Sequence, residues 1–170
     1  MKTGYAVLGV VAWACANAPK MPQVPQNLAV PAGNTLRLRA LAKGVQAYTC
    51  QPKAGDSSAW EWAFTGPKAE LSDEPGAKIG SHYGGPTWEL ADGSKVVGAV
   101  KEKASSPDGS IPWLLLAAKS SEGQGKLAGV TFIQRIETRG GTQPRDGCDA
   151  GHANESRGQE YTATYLFYGP

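Results

Sequence analysis

Apolar and polar residues alternate along several short stretches of the chain, a period of two that is typical of β-strands with one buried face. One such run, residues 35–41, places two leucines and an alanine on one face and two arginines on the other. Residues 44–50 form a second short run that favours β structure, and we expect it to pair with the first. Helical periodicity never persists beyond two turns after the first 34 residues, so the pattern predicts strands.

Two further alternating runs have aromatic faces. Trp60, Trp62 and Phe64 alternate with a glutamate and an alanine, and residues 161–168 place three aromatic residues and an alanine on one face. We expect the first aromatic face to contribute to the core, because large rings bury much area where aliphatic residues are scarce. The stretch after it, residues 67–71, begins with proline and predicts a single helical turn.

The clearest turn signal is Asp92-Gly93, which lies between two β-like runs and predicts a type I′ hairpin. Residues 88–91 would then pair with residues 94–97. Residues 111–118 form the most apolar run after the first 18 residues, and their length suits a buried strand better than a helix. Trp113, Leu115 and Ala117 would lie on one face and two leucines on the other, with both faces buried.

These elements predict an all-β fold: a single-domain, loop-rich antiparallel sandwich or barrel of about seven to eight short strands. The domain would span residues 35–170. Residues 19–34 contain four prolines and little charge, which favours an extended N-terminal lead-in. A doubly wound α/β fold is disfavoured because no crossover helices can be found between the strands.

The first 18 residues resemble a secretory signal peptide, with Lys2 before ten apolar residues and a small-residue motif ending at Ala18. Cleavage after Ala16 is an alternative, because Pro19 is unfavourable directly after a cut. A third possibility is a lipoprotein attached through Cys15. The sequence therefore predicts export to the periplasm or the extracellular space, with no transmembrane segment in the mature chain.

The amino-acid composition indicates which kind of partner is unfavoured and whether the chain folds. The chain has 17 basic and 15 acidic residues, a net charge of +2, and no basic stripe, which argues against a nucleic-acid partner. Five Trp, six Tyr and three Phe, together with the small net charge, argue for a folded domain rather than a disordered chain.

Of the three cysteines, Cys50 and Cys148 remain once the leader is removed. An even pair in an oxidising compartment favours a disulfide. Two buried free thiols are the main alternative. Metal ligation is less favoured, because neither cysteine has a second cysteine nearby in a C-x-x-C arrangement.

Several separate motifs occur in an order that resembles a known family. They are GVQAYTC at residues 44–50, HYGGPTWE at 82–89, DGS at 92–94, IPWLLL at 111–116, GCDA at 147–150 and the aromatic segment 161–168. Together they resemble the exported bacterial and fungal family known as domain of unknown function 3455 (DUF3455), from Pro22 to Tyr168. The resemblance implies an exported globular domain and implies no particular activity.

Aromatic residues supply the first candidate site. Tyr83 and Trp88 flank a Gly-Gly-Pro turn, where side chains can be presented to a ligand, and Glu89 is adjacent to Trp88. We predict these three residues to bind a ligand, with burial in the core as the alternative for the two rings.

Histidines supply the second candidate site. The chain has only two, His82 and His152, both in glycine-rich sequence, and His152 follows Cys148 by four residues. If their loops meet, the two imidazoles and Asp149 form a candidate copper or zinc site, with Glu89 as another possible ligand. The alternative is a pair of loop histidines that are hydrogen-bonded to the backbone.

Because there is no G-x-S-x-G motif and no other strong catalytic signature, the leading hypothesis is a non-enzymatic exported domain without a cofactor. Its partner would be a small ligand, a surface polymer or another protein. The main alternative is a small metal-dependent enzyme with copper or zinc at His82 and His152. A third hypothesis is a purely structural component of an envelope or a spore coat.

Overall fold

The computed structural model describes residues 23–170, which fold into eight antiparallel strands that form one closed barrel. The strands are β1 (Thr35–Lys53), β2 (Asp56–Ser72), β3 (Lys78–Tyr83), β4 (Thr87–Leu90), β5 (Lys95–Ala104), β6 (Trp113–Glu122), β7 (Phe132–Gly140) and β8 (Ser156–Gly169). Each strand pairs with its neighbours in sequence, and β8 closes the barrel by pairing with β1. The predicted all-β, antiparallel class is confirmed. The proposed leader, including Cys15, lies outside the described residues.

The first two strands are longer than predicted, with 19 and 17 residues. The runs at 35–41 and 44–50 were predicted to be two paired strands, which is wrong: they form one continuous strand, β1. Gly44 allows this continuity, because a Cβ there would collide with the carbonyl oxygen of Lys68 on β2. Residues 67–71, predicted as a helical turn, belong to β2 and pair with β1.

Inward-facing residues form the main core inside the barrel. On β8 the predicted face is confirmed, since Tyr161, Ala163, Tyr165 and Phe167 all belong to this core. The aromatic face of β2 is only partly buried. Trp62 packs in a separate cluster with Tyr48 and Cys50, whereas Phe64 is 54% exposed.

A second core lies on the outside of the barrel. Leu28 is fully buried there, in a short 3-10 helix (Gln26–Leu28), and packs in one cluster with Trp113 and Leu115 of β6. Gln134 of β7 fixes this segment by donating from Nε2 to the Leu28 carbonyl (2.7 Å). Both faces of β6 are therefore buried, as predicted, because Leu116 points into the barrel.

The Asp92-Gly93 turn occurs where predicted, between β4 and β5, but the predicted pairing is wrong by one residue, since Trp88 lies opposite Val96 and not Val97. The predicted type of the turn is also wrong. Only Gly93 has a positive φ (81°), and the Leu90 amide donates to the Ser94 carbonyl (2.9 Å). This geometry corresponds to a three-residue loop with one left-handed residue rather than to a type I′ turn.

The β6–β7 loop, residues 123–131, covers one end of the barrel, which we call the closed end. Leu127 and Val130 of this loop are buried in the main core. The Lys126 amide donates to Asp92 Oδ2 (2.8 Å), and the Leu127 amide donates to Ser94 Oγ (3.2 Å). These bonds fasten the loop to the β4–β5 turn.

The opposite end, which we call the open end, is bounded by the β1–β2, β3–β4, β5–β6 and β7–β8 loops. The predicted disulfide between Cys50 and Cys148 is present, with the two Cα atoms 5.4 Å apart, and it ties the β7–β8 loop to β1. A disulfide is compatible with an exported protein, and export itself stays a prediction. Across residues 23–170, no helix has the length and apolarity needed to cross a membrane.

Candidate functional site

A cavity of about 380 Å³ occupies the open end of the barrel. Among the described residues that line it, eleven are tyrosine, phenylalanine, tryptophan, aliphatic residues or proline: Tyr48, Phe64, Pro67, Pro86, Trp88, Val100, Ile111, Pro112, Leu114, Leu116 and Tyr165. Two glycines also line the cavity, and its other lining residues are Gln46, Thr65, His82 and Arg135. Sites that bind small molecules are usually concave and mostly apolar, and they contain a few polar groups, as this cavity does.

Strand periodicity explains why these side chains converge. Inward positions on β1 continue from Ala42 through Gly44 to Gln46 and Tyr48. The strand therefore places a small core residue, Ala42, deeper in the barrel and the larger Gln46 and Tyr48 in the cavity at the open end. On β7, Arg135 follows Ile133 by two residues and therefore shares its inward face. The cavity is thus built on strands, with the β3–β4 and β5–β6 loops at its rim.

Stacked rings form part of the cavity wall. The His82 imidazole lies parallel to the Trp88 indole, with centroids 4.5 Å apart and an interplanar angle of 11°. The Tyr165 ring meets both edge-on, at 4.9 Å from His82 and 5.2 Å from Trp88. These contacts hold three rings of the wall in fixed orientations.

His82 is a neutral group in this wall. Its side chain is 2% exposed, and Nδ1 lies 2.8 Å from the Thr87 carbonyl, which can only accept, so Nδ1 is the protonated nitrogen. Burial lowers the pKa of His82 to about 4. At neutral pH the imidazole is therefore uncharged, and Nε2 is an acceptor.

Among residues 23–170, Arg135 is the only charged residue that lines the cavity, and none of their carboxylates lines it. Its Nε and Nη2 both donate to the Pro112 carbonyl, at 3.1 and 2.9 Å, which fixes the guanidinium against the β5–β6 loop. Its positive charge also opposes the increase that burial causes in the pKa values of Tyr48 and Tyr165. Within residues 23–170, no acidic side chain forms an ion pair with Arg135.

Three residues of the cavity lining have a buried polar atom with no hydrogen-bond partner in the described part of the chain. These atoms are Gln46 Nε2, Trp88 Nε1 and the Tyr165 hydroxyl. Buried polar groups are nearly always paired, so such groups call for an explanation such as a bound molecule or ordered water. These atoms have almost no accessible surface and therefore lie behind the cavity wall, where Gln46 and the Tyr165 hydroxyl are both close to the Tyr161 hydroxyl.

The three predicted ligand-binding residues lie on two sides of the barrel wall. Trp88 lines the cavity, whereas Tyr83 and Glu89 alternate with the inward residues and so lie on the outer surface. There the Tyr83 hydroxyl donates to Glu89 Oε2 (2.5 Å), a bond that raises the pKa of the phenol. Tyr83 is 37% exposed. The structure thus joins Tyr83 to Glu89 and separates both from Trp88.

The predicted metal ligands are not assembled into one cluster. His82 is on β3 inside the barrel, whereas His152 is exposed on a 3-10 turn (Ala150–His152). There its Nδ1 lies 2.8 Å from Asp149 Oδ1, and this contact lowers the pKa of Asp149. In the described part of the chain, no group of three or more His, Cys, Asp or Glu residues is placed to hold a metal ion. Copper or zinc binding stays a prediction without a defined ligand set.

Sequence reasoning missed Gln46, Tyr48, Arg135 and Tyr165 as site residues. A signal was available for Arg135, because a cation in phase with the inward Ile133 is unusual within a β-branched run. Gln46 likewise continues the inward phase of β1. What the sequence lacked was the number of strands in the barrel and the end at which the interior remains unfilled.

Comparison with known protein families shows a similarity. A family model described as "Protein of unknown function (DUF3455)" matches residues 31–169, which include all eight strands and every residue of the cavity lining. No curated protein matches the chain.

Proposed function

Because the chain belongs to the DUF3455 family, whose description assigns no activity, we propose a function from its own cavity: the barrel binds a small, largely apolar molecule at its open end. The observation that supports this proposal is the cavity of about 380 Å³ inside a closed barrel. Eight-stranded barrels have interiors that side chains just fill or that hold one small ligand. In this barrel, side chains fill the interior at the closed end and leave a cavity at the open end.

The wall favours a small molecule over a polymer chain. The cavity is bounded by rings and aliphatic groups inside the barrel, and only Phe64 and Val100 at its rim are large, exposed apolar residues. A polymer would need a groove that is open along the surface, whereas a small molecule needs enclosure. Apolar area of the ligand would be removed from water against Leu114, Leu116 and Trp88.

The proposal is tested by titrating the protein with N-phenyl-1-naphthylamine, a neutral apolar dye whose fluorescence rises in apolar sites. We expect saturable binding with one site per chain. Leu114→Trp, which fills the cavity from β6, should weaken binding at least tenfold. Leu36→Trp is the matched control, because Leu36 is 41% exposed and does not line the cavity.

Thermal unfolding of both variants shows whether each is folded, and Leu114→Phe replaces Leu114→Trp if the larger ring prevents folding. Dye binding that is absent from the wild type, or equally strong in the folded Leu114 variant, would overturn the proposal. Loss of binding in Leu36→Trp alone would do the same, because that residue is remote from the cavity.

A further inference from the structure

The charge inside the cavity restricts what kind of small molecule can bind there. In the part of the chain that the structure describes, Arg135 is the only ionic group of the lining, His82 is neutral, and no acidic residue takes part. A partly buried cation without an acidic partner is costly, and an anion beside it removes that cost. A cationic ligand would be repelled, and a neutral ligand would leave the guanidinium without a counter-charge.

The geometry of the guanidinium indicates the type of anion. Nε and Nη2, which form one edge, are directed at the Pro112 carbonyl. These are the hydrogen bonds that the guanidinium donates to oxygens of the described residues with good geometry, and the Tyr165 hydroxyl is also within its reach. A ligand that binds the edge formed by Nη1 and Nη2 would therefore lie beside the Tyr165 hydroxyl. Two parallel N–H groups on such an edge match the two oxygens of a carboxylate.

The other groups of the wall distinguish a carboxylate from a phosphate and describe the rest of the ligand. A phosphate dianion would be buried against a single positive charge, whereas a carboxylate is neutralised by one guanidinium. The faces of His82 and Trp88 are stacked against each other, and both rings are buried, so they support the wall from behind. The more accessible apolar lining, which includes Leu114 and the exposed Phe64 and Val100, suits a compact apolar body.

We propose that the ligand of this cavity is a small monocarboxylate with a compact apolar body, and that Arg135 binds its carboxylate. This inference rests on the proposed function, since it assigns the ligand class of the same cavity.

The test compares two probes of nearly equal shape by isothermal titration at pH 7: 1-naphthaleneacetate and the neutral 1-naphthaleneacetamide. We expect the wild-type protein to bind the carboxylate at least tenfold more tightly than the amide, with a preference that weakens as salt is added. Arg135→Gln should abolish the preference while binding of N-phenyl-1-naphthylamine persists. Arg145→Gln is the matched control, because Arg145 is exposed and does not line this cavity.

Each outcome separates this inference from the proposed function. If the neutral dye binds but the carboxylate binds no better than the amide, the carboxylate assignment is overturned and small-molecule binding stands. If neither the dye nor the carboxylate binds, both proposals fail. Should Arg135→Gln not fold, Arg135→Lys is used, and it should keep the charge preference in weakened form because lysine lacks the planar pair of donors. An undiminished preference in folded Arg135→Lys would contradict bidentate binding.

Discussion

The two ends of this barrel are built from the same eight strands, but only one of them is filled. At the closed end, the β6–β7 loop inserts Leu127 into the core, and Leu127 and Ser94 are fully buried. At the open end, the loops remain at the rim and leave a cavity of about 380 Å³. Phe64 and Val100 beside that cavity are each 54% exposed.

The difference shows that strand number alone does not determine whether a barrel has a binding cavity. The closed end is held by apolar packing and by hydrogen bonds from the loop to Asp92 and Ser94. The open end is held by the Cys50–Cys148 disulfide and by isolated hydrogen bonds. In one of them the Tyr48 hydroxyl donates to the Gly141 carbonyl (2.7 Å). The disulfide holds the wall at the open end without occupying the cavity. Side-chain packing would hold the wall only by filling that cavity.

The largest expected effect follows from removing that link. Replacing both cysteines with alanine in Cys50→Ala/Cys148→Ala should lower the free energy of unfolding by about 4 kcal/mol, because the disulfide closes a long loop in the unfolded chain. The sequence separation of the two cysteines is 98 residues. Denaturant unfolding measures the loss, and reduced wild-type protein is the control. A loss under about 1 kcal/mol would show that the open end does not depend on this link.

Truncating one leucine at each end compares the two ends directly. Leu127→Ala should cost about 3 kcal/mol, because it leaves a new void in a filled core. Leu114→Ala should cost only about 1 kcal/mol, because this half-buried side chain already borders open space. Both values come from denaturant unfolding under the same conditions. Equal costs, or a larger cost for Leu114→Ala, would contradict the assignment of filled and unfilled ends.

A smaller effect concerns pH, because the histidine of the barrel interior borders the cavity. The pKa of His82 in the folded protein is about 4, below its ordinary value of 6.5, because the ring is buried, so between these two values only the unfolded chain binds the extra proton. Stability should therefore be full above pH 6.5 and decrease as pH falls, by about 2 kcal/mol between pH 7 and pH 5. His82→Gln should lack this decrease, whereas His152→Gln should retain it. A decrease of equal size in His82→Gln would show that another group causes it.

The fold was largely predictable because alternation records burial directly. The inward face of residues 161–168 and the two buried faces of β6 follow from residue type alone. The division of β1 into two strands was wrong because Gly44 looks like a break in a single sequence. In the structure, β2 comes so close to β1 that only glycine fits at position 44, and the strand continues through it.

The candidate site was less predictable, because it depends on which interior positions the fold leaves unfilled. His82 was expected in a glycine-rich loop and Trp88 beside a Gly-Gly-Pro turn, whereas the two lie opposite each other on the paired strands β3 and β4. Arg135 was missed because its significance comes from a cavity that all eight strands line and in which no carboxylate of residues 23–170 takes part. No local pattern contains that information.

The measurement that tests the account most directly is methyl NMR of leucine-labelled protein during titration with N-phenyl-1-naphthylamine. Methyl groups of Leu114 and Leu116, which line the cavity, should shift progressively until one equivalent is bound. Methyl groups of Leu71 and Leu127, which are buried in the main core and do not line the cavity, should remain unchanged. Shifts that are absent at Leu114 and Leu116, or equally large at Leu127, would contradict a binding cavity at the open end.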